Sequence, residues 1–126
     1  MKQYIIIVVA IAIVVLLNLW QVNYLNKTSR YMLTDINDVA NSVEREDFEA
    51  ALKGVYELEE TWNSIRYGWD IFGEHNDIEE INEHIQSMKV YAKYQDKEEL
   101  VNEYTLLENA INHINDTEKI NFSNVL

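Results

Sequence analysis

From Tyr4 to Leu17 every residue is apolar, and with Leu19 and Trp20 the run is interrupted only by Asn18. A helix from Tyr4 to Trp20 is about 25 Å long, and carried on to Tyr24 it reaches about 31 Å, enough to cross a hydrocarbon core of about 30 Å. Tyr4 at one end and Trp20 and Tyr24 at the other fit the aromatic belts of two membrane interfaces. A soluble core helix this apolar would need a partner of matching size, and the rest of the chain holds none. The expectation is a transmembrane helix that meets the lipid bilayer through residues 4–24.

Removal of a signal peptide needs small residues just beyond the apolar core. The stretch from Leu16 to Leu25 offers none, and Ala10 and Ala12, though correctly spaced, lie inside the run. With no cysteine in the chain a lipoprotein anchor is excluded. The reading is therefore a retained signal-anchor over residues 1–25, followed by a helical domain over residues 26–126.

That domain is strongly acidic. The chain has 22 acidic and 10 basic side chains and a formal net charge of -12. Lys2, Lys27 and Arg30 precede the first acid, Asp35, which leaves residues 35–126 with a net charge of -15. Such a domain repels polyanions, so nucleic acid is not an expected partner. Positive charges flank both ends of the apolar run, and counting them does not settle its orientation. The very short N-terminal tail and the acidic domain favour a cytoplasmic N-terminus and an extracytoplasmic domain at the cell membrane.

The chain has no proline and three glycines, which predicts an all-α fold with long helices. Leu25, Met32, Leu33, Ile36, Val39, Ala40 and Val43 continue at helical spacing straight after the apolar run. A second helix is predicted from a cap at Asp47, with Phe48, Ala51, Leu52, Val55, Leu58, Trp62, Ile65 and Trp69 facing inward. Gly68 and Gly73, with Asn76 and Asp77, mark its end. A third carries Ile78, Ile81, Ile85, Met88 and Ala92, and a fourth opens at Asp96 with Leu100, Tyr104, Leu107, Ile111 and Ile114 inward. The apolar tail from Ile120 to Leu126 is expected to fold back onto the bundle. An internal repeat at an offset of 49 aligns Ile36 with Ile85, Asp47 with Asp96, Leu58 with Leu107 and Ile65 with Ile114. Two helix hairpins are expected, in a tetratricopeptide-like or an up-down arrangement.

Chemistry-bearing patterns are missing. His75, His84 and His113 lack the spacings of a zinc-protease helix or a di-iron bundle, and Glu80 with His84 is read as a solvated pair rather than a metal site. No serine has a nucleophile-elbow context, and the glycines form no phosphate loop. The expectation is a protein that is not an enzyme, with no catalytic residue, cofactor or metal. Two aromatic groups remain. Tyr56, Tyr67, Val90 and Tyr94 point away from the inward stripes and form a candidate partner surface. Trp62 and Trp69 sit on the inward stripe, where core packing is the simpler reading, and with His75 they form a candidate ligand pocket.

The anchor followed by Asn26-Lys27-Thr28-Ser29 resembles a family of small bacterial proteins classed only as a domain of unknown function. So do the segment Glu46-Asp47-Phe48-Glu49-Ala50-Ala51 leading to Trp62, His75 before Asp77-Ile78-Glu79, and the closing Ser123-Asn124-Val125-Leu126. The resemblance implies a membrane-anchored, acidic helical domain and carries no activity, cofactor or catalytic residue. The functional expectation is a protein–protein interaction or adaptor module whose partner is another membrane or envelope protein. Alternatives are a small-molecule sensor or a structural spacer at the cell surface.

Overall fold

The computed structural model describes residues 1–73 and 75–125, and the side chains of these apart from 72 and 117–125. Four helices follow one another: α1 (Lys2–Glu44), α2 (Phe48–Phe72), α3 (His75–Lys93) and α4 (Lys97–Val125). Each packs against two others, α1 and α3 both lying between α2 and α4, with no contact across either diagonal among the described residues. Short connections make consecutive helices antiparallel, so the domain is an up-down-up-down four-helix bundle. Contact between α1 and α4 closes the ring, which distinguishes it from an open stack of tetratricopeptide type.

The inward stripes form one core. Leu25, Met32, Ile36, Val39 and Val43 of α1 meet Ala51, Val55, Leu58, Trp62, Ile65 and Trp69 of α2. Across the axis lie Ile78, Ile81, Ile85, Met88 and Ala92 of α3 and Leu100, Leu107, Ile111 and Ile114 of α4. Tyr104 and Leu52, read from the sequence as inward, are only half-buried at the edge of this core.

Helix α1 is unbroken from Lys2 to Glu44, and its two halves differ. The window of highest hydropathy has no buried residue, and the side chains from Ile5 to Leu19 mostly lie in the open. The bundle's share of the same helix begins at Leu25, 1% exposed. Among the described residues one helix is thus long and apolar enough to cross a membrane, and that helix is also the first strut of the bundle.

The offset of 49 is written into the backbone. Glu46 (φ 56°) and Gln95 (φ 57°), 49 residues apart, both adopt the left-handed conformation. At the first turn, Glu46 N–H donates to the Val43 carbonyl (2.9 Å) and Asp47 N–H to that of Ser42 (2.9 Å). At the second, Gln95 N–H donates to Ala92 (3.2 Å) and Asp96 N–H to Tyr91 (2.9 Å). Both pairs are the crossed bonds of a Schellman C-cap. Each following aspartate then opens the next helix: Asp47 Oδ1 accepts from Ala50 N–H (3.1 Å) and Asp96 Oδ1 from Glu99 N–H (3.2 Å). One six-residue device therefore turns the chain twice, and Lys97 Nζ lies 3.3 Å from Glu46 Oε1, joining the two turns at one end of the bundle.

The remaining turn differs. Helix α2 does not stop at Gly68 as its glycine suggests; it runs through Phe72, and the break falls at Gly73, whose backbone is extended. At the far end α4 continues as helix to Val125, and the expected folding-back of residues 120–126 lies outside the described side chains.

Candidate functional site

The most structured polar region lies where the apolar half of α1 enters the bundle. Tyr24 leans across α2, and its hydroxyl donates to the Ile65 carbonyl at 3.0 Å. Gly68 makes that approach possible, since a Cβ there would overlap the Tyr24 ring. One turn further along α1, buried Thr28 accepts from Trp69 Nε1 (2.8 Å) and donates its own hydroxyl proton to the Tyr24 carbonyl (2.7 Å). Trp69 meets Trp62 edge-on, with ring centroids 5.8 Å apart and planes at 80°. On the other side Tyr24 stacks on Trp20, centroids 5.6 Å apart. A continuous aromatic and hydrogen-bonded seam thus runs from the apolar rod into the core. It fixes the rod's rotation and height relative to α2, because slippage would strand the Trp69 N–H in an apolar interior.

Trp62 and Trp69 are 0% and 1% exposed, so both belong to this core, whereas His75 is exposed at the start of α3. The indole N–H of Trp62 and the hydroxyl of Ser29 are buried and have no hydrogen-bond partner among the described residues.

The four residues of the candidate partner surface are all exposed, but they are not one cluster. Lys89 of α3 lies with its Nζ 5.6 Å from the centre of the Tyr56 ring, which puts Val90 and Tyr94, further along α3, at the same end of the bundle as Tyr56. Tyr67 is eleven residues further along α2, about 16 Å away towards the rod. Lys89 also pairs with Glu59 (2.5 Å), which accepts a hydrogen bond from Gln86 Nε2 (2.7 Å). Partial burial pushes the Glu59 carboxyl up, but these bonds and the Lys89 charge outweigh it and hold the carboxyl below its ordinary value.

His84 is largely enclosed between α3 and α4, with Nδ1 2.7 Å from Glu103 Oε2 and Nε2 3.5 Å from Glu80 Oε1. The sequence pairs it with Glu80 alone; the closer partner is Glu103, nineteen residues away. Among the described residues no group of three or more histidines and carboxylates is arranged to hold a metal ion. Sequence reading also missed the seam formed by Tyr24, Thr28, Gly68 and Trp69. Its one local signal is an isolated glycine within an otherwise unbroken helical pattern.

Fold and seam together define a helical-bundle domain built on the continuation of a long, exposed apolar helix. The chain belongs to the family described as Domain of unknown function (DUF4363), whose family model matches residues 19–125. The match takes in all four helices of the bundle and only the last residues of the apolar run. Neither curated proteins nor solved structures give a match.

Proposed function

We propose that this is a bacterial single-pass membrane protein, retained in the cell membrane by residues 4–24, whose acidic extracytoplasmic bundle binds a neighbouring membrane protein. The observation that carries the reading is the composition of α1. One unbroken helix is uncovered and apolar over its first half and is a core strut over its second. Two-sided use of this kind suits a domain held at a fixed height and rotation above a bilayer. A detachable leader would have no need of it. The missing small residues near Trp20 support retention, and the net charge of -15 beyond Asp35 supports the outward orientation.

For the partner, the end of the α2–α3 face with Tyr56, Val90 and Tyr94 is the favoured contact. Aromatic side chains there stand on an otherwise charged surface, and Tyr56 is already positioned by Lys89. A ligand module centred on Trp62, Trp69 and His75 is less favoured, because both indoles are consumed by core contacts. The test is co-purification of the full-length protein from its own cell in mild detergent, beside the full-length variant Tyr56→Ser/Tyr94→Ser. One stoichiometric membrane partner that is lost with the variant is expected. Recovery of the protein alone, or a partner indifferent to both tyrosines, would count against the adaptor reading.

A further inference from the structure

The seam fixes how far the bundle reaches along the apolar rod. The Tyr24 ring packs over Gly68 and Val39 packs on Gly54, and α2 runs antiparallel to α1, so Ile71 lies three residues beyond Gly68 towards the N-terminus of α1. Three residues are about 4.5 Å of helix, which brings Ile71 level with Gln21 and Val22. Exposure along α1 agrees: Gln21 and Val22 are partly covered, as are Val15 and Asn18, whereas Ile5 to Val14 are open. The rod clear of the end of α2 therefore extends from Tyr4 to Trp20, about 25 Å of helix, short of a hydrocarbon core of about 30 Å. A span that uses residues up to Tyr24 must take the end of the bundle down with it.

At that end the outward side chains of α2 suit such a place. Tyr67 and Ile71 are 77% and 74% exposed, among the most exposed large apolar residues of the bundle. They are one turn apart on the same helix face. Lys27, Arg30 and Arg66 lie at the same end. Asp70, exposed between Tyr67 and Ile71 in sequence, sets a lower limit, since a carboxylate tolerates the headgroup layer and not the hydrocarbon.

We propose that the last two turns of α2 are seated in the headgroup layer of the bilayer, with Tyr67 and Ile71 as interfacial anchors, so that the bundle rides on the lipid surface and does not stand clear of it. The occupant of this face is lipid. The face is continuous with the apolar rod and held level with its final turns, and Lys27, Arg30 and Arg66 give this end of an otherwise acidic domain the charge that anionic headgroups attract. The inference rests on the reading of α1 as a membrane span.

The cysteine-free sequence allows a direct test. Full-length protein carrying Ile13→Cys, Ile71→Cys or Val90→Cys is spin-labelled and reconstituted in vesicles of phosphatidylcholine with phosphatidylglycerol. Collisional accessibility to oxygen and to a water-soluble nickel chelate is then measured. The Ile71 site is expected to show nickel accessibility several-fold below that of the Val90 site and a depth at the interface, with the Ile13 site deep in the hydrocarbon. A deep Ile13 site with Ile71 as open to nickel as Val90 would overturn the seating and leave the span intact. An Ile13 site open to nickel would overturn both.

Discussion

The ring of Tyr24 fills the space that a side chain at residue 68 would need, so Gly68 is an access point for α1 and not a helix stop. In an exposed helix interior, Gly→Ala gains about 1 kcal/mol from propensity. Here the new methyl would collide with the phenol ring, and we expect Gly68→Ala to destabilise the full-length protein by about 1–3 kcal/mol instead. Gly54 is the matched control. A Cβ there meets Val39 Cγ2 at 3.0 Å and the rest of Val39 at 3.8 Å or more, a contact that a shift of a few tenths of an ångström relieves. Thermal unfolding in mild detergent, followed by circular dichroism, should show a clear loss for Gly68→Ala and little change for Gly54→Ala.

Trp69 and Thr28 are 41 residues apart in sequence and joined by a buried hydrogen bond. Trp69→Phe keeps most of the ring and removes the donor, while Thr28→Val keeps the shape and removes the acceptor. Each change should cost about 1–3 kcal/mol: Thr28→Val strands the buried Trp69 N–H, while Trp69→Phe removes one of the two bonds of the Thr28 hydroxyl and leaves part of the indole's space unfilled. The double variant should cost less than the sum, with a coupling of about 1 kcal/mol. Strict additivity would mean that the bond contributes nothing to the seam.

Glu46 and Gln95 hold a backbone conformation that costs a non-glycine residue about 1–2 kcal/mol, part of which glycine gives back as chain entropy. Glu46→Gly and Gln95→Gly should each raise stability by about 0.5–1 kcal/mol. Glu46→Gly also removes the ion pair with Lys97, but that pair is exposed and contributes little. Similar gains at both sites, read from chemical denaturation, would show that the two turns are energetic as well as geometric repeats. A loss at either site would argue against the Schellman geometry there.

Glu59 gives the bundle a pH dependence of known sign. Although burial raises its pKa, Lys89 and Gln86 lower it further, so the folded value lies below the unfolded one. Its stabilising contribution is then fully present above the unfolded pKa and is lost as the pH falls through the folded value. Glu59→Gln should therefore be less stable than the natural protein at neutral pH, with the gap closing in acid. A gap that stays constant from neutral to acid pH would remove the Glu59–Lys89 pair as its source.

The helical stripes and the turns are legible in the sequence because their causes are local. Apolar spacing marks the buried face of each helix, and Asp47 and Asp96 cap helices through bonds to residues three positions on. The repeat at offset 49 is readable for the same reason, since each half of it is one short hairpin. The seam is not, because Thr28 and Ser29 look like surface residues until Trp69 and the neighbouring helices enclose them. Gly68 misleads by the same route. Its role is set by Tyr24, 44 residues earlier, and propensity alone reads it as a stop. Nor does spacing along one helix reveal that α4 returns to α1 and closes the ring, or that Glu103 reaches His84.

Everything proposed for the bundle depends on α1 crossing the membrane once and carrying the bundle outside. Asn102 is exposed on α4 at the end of the bundle away from the rod, and Asn102→Cys would be the chain's sole thiol. A membrane-impermeant maleimide applied to intact cells should label this variant fully, with the labelled protein remaining in washed membranes. Labelling that appears only after the cells are broken would place the bundle in the cytoplasm and contradict the account.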